Sequence, residues 1–393
     1  MSNLLLRLNS TLEKTELKKE RIIMNTARED IIVEVEEKKK RVLTLLDRKD
    51  LDGLILKLKA NFSWFTAGGD AHVELGYEES SASLVIFPEQ VYIFTTNIER
   101  GRLVEEELDG LGFEVKSEPW YREGDRLKKL INSYHLGADI QLPGTIFLGE
   151  EISRLRYQLL PPEKYRLKKL GGTAARSLSE VCREITPGMS EHEVAGLTGA
   201  KLLQEGMQPV VILIGSDERI FNYRHPIPTS SLIDSYVMVV VCARLWGLVV
   251  SLTRLVYFGS LPSELKRKME AVRKIEAVFY GETRPGHRIE DILQEGQKAY
   301  RREGYPGEWK KHHQGGAAGY ATRDYLARPD LRNEKVLRDQ TFAWNPSIAG
   351  VKSEDTIIAE KSGIDIVTAD QNWPATEFEY GKKSFSRPDI LCR

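Results

Sequence analysis

Residues 237–258, VMVVVCARLWGLVVSLTRLVYF, decide how the rest of the chain is read. Val, Leu and aromatic side chains fill two arms on either side of Leu245-Trp246-Gly247, which suits adjacent strands of a pleated sheet buried on both faces. Gly247 supplies the permissive backbone that a tight connection needs. The hairpin therefore belongs at the centre of a sheet. A buried hairpin is also a usual place to hang metal-binding carboxylates, yet between Val237 and Phe258 there is no Asp and no Glu.

The chain around it is an α/β alternation. Residues 1–30 are charged, with Leu at irregular helical spacing, and read as a helical arm or a leader. From Ile31 to about Asp50 an amphipathic helix carries Val42, Leu43, Leu45 and Leu46 on one side. LDGLILKL, ASLVIFPEQVYIFT, GFEVKSEPW and TIFLGEEI then alternate with helical pieces, which places a first domain at 31–160. The prolines and bases of QLLPPEKYRLKKL mark a junction to a second domain at 161–393. Within that domain Pro187–Gly206 and Pro285–Gly304 have the same length, with Glu193 over Asp291, Val194 over Ile292 and Glu205 over Glu303. Each follows a longer helical stretch, so a duplicated α-α-β unit with pseudo-twofold symmetry is expected. QTFAWNPSIAGVKSEDTIIAE reads as a last hairpin turning near Gly350, and the tail beyond Trp373 as irregular.

Composition excludes several function classes. The 393 residues suggest two domains, and 41% hydrophobic residues are enough to fill them. Lys plus Arg number 57 against 58 acids, a net charge of −1, so no global field recruits nucleic acid or an anionic membrane. The first twenty residues lack the apolar core of a signal peptide, and no run of about 18 apolar residues occurs elsewhere. Cys182, Cys242 and Cys392 are too few and too scattered for a disulfide framework. A soluble, cytoplasmic protein is expected.

Four motifs stand out: NYRHPIPT at 222–229, LTRLVYFG at 252–259, HQGGAAGY at 313–320 and NPSIAGVKSEDT at 345–356. In that order, behind an α/β N-terminal domain, they resemble the creatinase and Xaa-Pro aminopeptidase superfamily over roughly residues 35–370. The resemblance implies an N-terminal creatinase-like domain, a duplicated pita-bread C-terminal domain and a homodimer. The family's peptidases hold two divalent cations with two Asp, one His and two Glu. Laid on this chain, the two Asp positions fall on Val240 and Ser251, the His on Gly316 and one Glu on Asn345, and only Glu354 survives. Hard cations need several oxygen or imidazole ligands, which one Glu cannot supply. No dinuclear metal and no other cofactor is expected.

The resemblance to creatinase, which splits a carbon-nitrogen bond without metal, implies a proton-shuttling role for His225. Held in a loop by Pro226, a His near its ordinary pKa can move a proton at neutral pH, or it can simply brace the loop. Glu354 adjoins Asp355 on a strand, where neighbours face opposite ways; by family position Glu354 faces the site, to anchor a ligand amine or to pair with Arg254. His313, beside His312 and Gln314, can reach a ligand past Gly315 and Gly316. Asn345 keeps a hydrogen-bonding group without charge where the family has Glu. Ser251, Arg254 and Tyr223 complete the expected ligand contacts, with Arg224 and Arg323 as rim residues. Cys242 reads as a small buried thiol. The expected function is metal-independent hydrolysis of a C–N bond in a small polar or short-peptide ligand. Two alternatives stand beside it: a non-catalytic pseudoenzyme that binds a ligand or partner, and a working Xaa-Pro aminopeptidase or dipeptidase.

Overall fold

The computed structural model describes residues 30–331 and 333–393, so the arm or leader expected before residue 30 lies outside the described residues. A helix over 30–49 leads into a mixed sheet of order β4-β3-β2-β1-β5-β6. Its strands are β1 (Gly53–Leu58), β2 (Glu79–Ile86), β3 (Val91–Thr96), β4 (Glu114–Glu118), β5 (Leu136–Ala138) and β6 (Ile146–Phe147). Val42, Leu45 and Leu46 of the helix are buried in one core with Leu54, Leu56 and Leu84 of the sheet.

The proline pair read as a junction forms the first turn of a 24-residue helix, Pro161–Glu184. Proline suits that position because the first amides of a helix have no intrahelical acceptor to lose. Glu163 reaches back to the Leu160 amide at 2.7 Å and completes the helix start. Further helices run over Glu191–Gln204, Ser263–Glu282 and Ile289–Arg302.

The duplication is visible in individual hydrogen bonds. Gly188 N donates to Ile233 O at 2.8 Å and Glu191 N to Ser231 O at 3.0 Å; in the second copy Gly286 N donates to Val336 O at 2.8 Å and Ile289 N to Glu334 O at 3.0 Å. The caps differ. Ser190 and Glu193 form a reciprocal capping box, whereas Arg288 begins the second helix through a salt bridge from its Nε to Asp291 Oδ2 at 3.0 Å. Each helix pair backs a half-sheet. The first is β19-β9-β8-β7, with β7 (Gln208–Ser216), β8 (Tyr236–Leu245), β9 (Leu248–Tyr257) and β19 (Leu391–Cys392). The second is β11-β10-β12-β15-β16, with β10 (Gly315–Ala318), β11 (Tyr325–Leu326), β12 (Gln340–Trp344), β15 (Asp355–Glu360) and β16 (Gly363–Ile366). Short strands β13 (Ser347–Ile348) and β14 (Val351–Lys352) pair between β12 and β15, with Gly350 in their turn.

The central hairpin turns through two residues, Trp246 and Gly247, whose φ angles of 54° and 74° match the twist of the flanking strands. Glycine is required here, since a Cβ at 247 would lie 2.2 Å from Ser63 Cβ. Alternation assigns its faces. Val239, Val241, Leu252 and Val256 join the core formed with helix Pro161–Glu184, while Met238, Val240 and Leu255 join the core of the second copy. Each fully buried Val or Leu contributes roughly 1.5–3 kcal/mol. The half-sheets meet along a seam where Thr253 N donates to Glu354 O at 3.0 Å and Ser251 N to Thr356 Oγ1 at 2.8 Å.

The tail beyond Trp373 is ordered rather than irregular. A hairpin of β17 (Ala375–Tyr380) and β18 (Lys383–Pro388) follows, and β19 then pairs parallel to β9. Its polar alternation reflects a sheet with one wet face, and Phe378 and Phe385 pair across the buried one. No helix among the described residues is long and apolar enough to cross a membrane.

Candidate functional site

A cleft of about 350 Å³ opens over the seam between the half-sheets. Glu354 forms its floor, placed there by strand alternation that turns Asp355 the other way. Thr253 Oγ1 donates to Glu354 Oε2 at 2.8 Å, and Lys352 Nζ lies 2.7 Å from the same oxygen. Arg323 Nη2 and Asn345 Nδ2 approach Oε1 at 3.2 and 3.3 Å. Both carboxylate oxygens are thus engaged by protein donors. Burial by itself pushes the Glu354 carboxyl up, but the Lys352 and Arg323 charges outweigh it and hold the group at about 2.

Three histidines gather at the mouth. The loop carrying His225 is fixed by Pro226 packed on β7 at Gly215, where a Cβ would come within 2.7 Å of the proline ring. An Arg224–Glu308 salt bridge ties the same loop to the segment leading into His312, and Glu308 also accepts from Ala349 N at 2.9 Å. His225 Nε2 and His312 Nε2 lie 3.0 Å apart, so one ring donates a hydrogen bond to the other. The His313 ring centroid is 4.2 Å from that of His312 and 5.9 Å from that of His225. Burial, reinforced by the Lys352 charge, pushes His312 down to about 2; burial and Arg323 push His313 down to about 4. His225 is lowered less, by partial burial and Lys352. All three rings are thereby biased toward their neutral forms, and His225 is the exposed one.

The remaining expected residues divide into two groups. Asn345 and His313 line the cleft with His225 and Glu354. Ser251 lies just beneath, its Oγ 3.1 Å from the Sγ of Cys242, whose thiol is pushed up by burial and by Glu354. Tyr223 sits outside the cleft proper, half exposed, with the Arg219 guanidinium 5.1 Å from its ring. Arg254 is a correction. Alternation along β9 points it away from the cleft, where it is 2% exposed, bonds Asp355 Oδ1 and Thr368 O, and lies over Trp373. Its partner is Asp355, not Glu354. Lys352 was missed by sequence reasoning, although its position two residues before Glu354 on an extended segment places both on one face. Nothing local in the sequence brings His312 to His225.

A pair of bridged cations does not fit this arrangement. Val240 presents a methyl-bearing side chain to the cleft, and Ser251 Oγ is taken up by Cys242. A Cβ at Gly316 would lie 2.1 Å from Tyr325 O, so the backbone there leaves no space for any side chain. Asn345 donates its amide to Glu354, whose two oxygens are already held by Thr253, Lys352 and Arg323. The Lys352 ammonium supplies positive charge against the one remaining carboxylate.

Residues 166–364, about half of the sequence, match metallopeptidase family M24. The chain belongs to that family. An uncharacterized peptidase of Staphylococcus epidermidis is 22% identical over 84% of this M24 chain and 98% of its own length. In structure the M24 chain is similar to the prolidase of Pyrococcus horikoshii, with a TM-score of 0.73 at 19% identity over 85% of this chain and 99% of that one. It is also similar to the X-Pro aminopeptidase of Thermotoga maritima (TM-score 0.71, 15% identity, 90% and 99% covered). The N-terminal domain of a FACT complex subunit, SPT16 of chickpea, shares the fold as well, with a TM-score of 0.65 at 15% identity over 86% and 96%. At these identities the structural likenesses show the fold, which is the expected pita-bread architecture.

Proposed function

We propose that this M24 protein hydrolyses a C–N bond of a small polar compound or short peptide without the two-metal centre, using His225 to carry the proton. The observation that supports this reading is the occupied floor of the cleft. Lys352, Arg323, Thr253 and Asn345 saturate Glu354 while a neutral imidazole stands exposed at the mouth. His225, lowered from its ordinary 6.5, serves as a base: it takes a proton from the water whose oxygen bonds to the carbon and returns that proton to the nitrogen as the C–N bond breaks. His312 fixes the ring through the 3.0 Å contact. Asn345 Oδ1, buried without a partner, is free to accept a hydrogen bond from a substrate N–H. His313 and the excess positive charge of Lys352 and Arg323 orient the remainder. The reading includes a cytoplasmic homodimer, checked by light scattering on the purified protein.

The test is turnover. A panel of amides, amidines and Xaa-Pro dipeptides is incubated with chelator-treated protein and with a His225→Ala variant. Chelator-resistant turnover lost in the variant is expected. Xaa-Pro cleavage abolished by chelation would instead make this a working metallopeptidase, as the names of its structural neighbours suggest. A second reading, a non-catalytic ligand or partner binder, is favoured by one observation: the saturated Glu354 leaves no free carboxylate to assist chemistry. Ligand-induced thermal stabilisation without product distinguishes it.

A further inference from the structure

We propose that His225, His312 and His313 form a site for a single divalent transition-metal ion of the zinc class, separate from the position of the family's paired cations. One nitrogen from each of the three rings lies within 4.8 Å of the others. Metal–nitrogen bonds of about 2.0–2.1 Å set nitrogens of a tetrahedral shell roughly 3.3 Å apart, close to the 3.0 Å already separating His225 Nε2 from His312 Nε2.

Two further observations point to a ligand. His313 Nδ1 is buried with no hydrogen-bond partner, and His312 Nε2 faces the His225 ring, so the nitrogens that meet here are not committed to groups outside the cluster. The scaffold is also fixed from both sides, because the Arg224–Glu308 salt bridge joins the His225 loop to the stretch carrying the other two rings. His225 is the exposed member, so its ring is the one that adjusts on binding.

Ligand type selects the ion. Three imidazoles and no free carboxylate suit zinc, cobalt or nickel and offer nothing to calcium or magnesium, which require oxygen shells. Lys352 and Arg323 nearby disfavour a bare dication, so the remaining coordination position takes an anion from solvent. The inference goes beyond the proton-transfer reading and has a consequence for it. A metal bound at His225 takes up the ring that the hydrolytic reading uses as its base, so the occupied site is the inactive state.

Binding is measured on the chelator-stripped full chain, with Co(II) absorption and Zn(II) calorimetry and no substrate, so the result stands apart from whether any substrate is turned over. One ion per chain with a Kd below about 100 μM is expected, weakened at least about tenfold in His225→Ala and in His313→Ala. His225→Ala, at an exposed position, guards against misfolding of the variants. Binding weaker than about 100 μM, or binding unaffected by removing either histidine, overturns the site.

Discussion

Lys352 Nζ lies 2.7 Å from Glu354 Oε2 at the floor of the cleft, and both side chains are nearly inaccessible to solvent. The pair is internal charge neutralisation where relatives would place ions. Glu354→Gln leaves the ammonium facing a neutral amide, and breaking a buried pair in this way costs about 3–5 kcal/mol. The sign with pH follows from the lowered carboxyl: ordinary value 4.5, about 2 when folded. Its stabilisation is fully present above pH 4.5 and is lost as pH falls through about 2. Urea midpoints of wild type and Glu354→Gln should therefore differ fully at pH 7 and converge below pH 4.5. A pH-independent difference contradicts the pairing.

His225 is exposed on a loop, so its loss should barely touch stability. His225→Ala is expected to change the unfolding free energy by less than about 0.5 kcal/mol and to lower kcat by roughly 10²–10⁴ on any compound the protein turns over. Rates near wild type would remove His225 from the chemistry.

Gly316 records how thoroughly the family's histidine position has closed. Because an added Cβ would meet Tyr325 O and the Ala327 amide at 2.1 and 2.9 Å, Gly316→Ala must displace strand β11. A loss of about 1–3 kcal/mol is expected by calorimetry, and a metal-binding side chain cannot be restored here by one substitution. A neutral Gly316→Ala would contradict this.

Arg254 separates structural from ligand-facing charge. Arg254→Met removes a buried partner of Asp355 and is expected to cost about 3–5 kcal/mol, while the folded fraction keeps its ligand affinity to within about twofold. A selective loss of affinity with stability intact would return Arg254 to the cleft.

Much of this was legible along the chain, and the limits have a physical origin. The hairpin, the place of its turn and the absence of acid between Val237 and Phe258 are local properties of composition and period. So is the opposition of Glu354 to Asp355, since alternation along a strand needs no tertiary knowledge. Alternation equally excluded Arg254 from the face of Thr253, a consequence not drawn from the sequence. The Arg323–Glu354 contact spans 31 residues and the His225–His312 contact 87, and both are created by the meeting of loops whose approach no local pattern encodes. Pro161 and Pro162 mark a junction in the sequence without showing that a helix starts on them, because proline ends helices more visibly than it begins them. The tail strands were hidden by exposed polar side chains on their wet face.

The central claim, that this M24 chain lacks the paired-cation centre, is tested most directly by counting manganese bound to chelator-stripped wild type and Glu354→Gln by elemental analysis after equilibrium dialysis. The account predicts no pair of tightly held ions and no dependence of any bound ion on Glu354. Two ions per wild-type chain, lost on substituting Glu354, would contradict it.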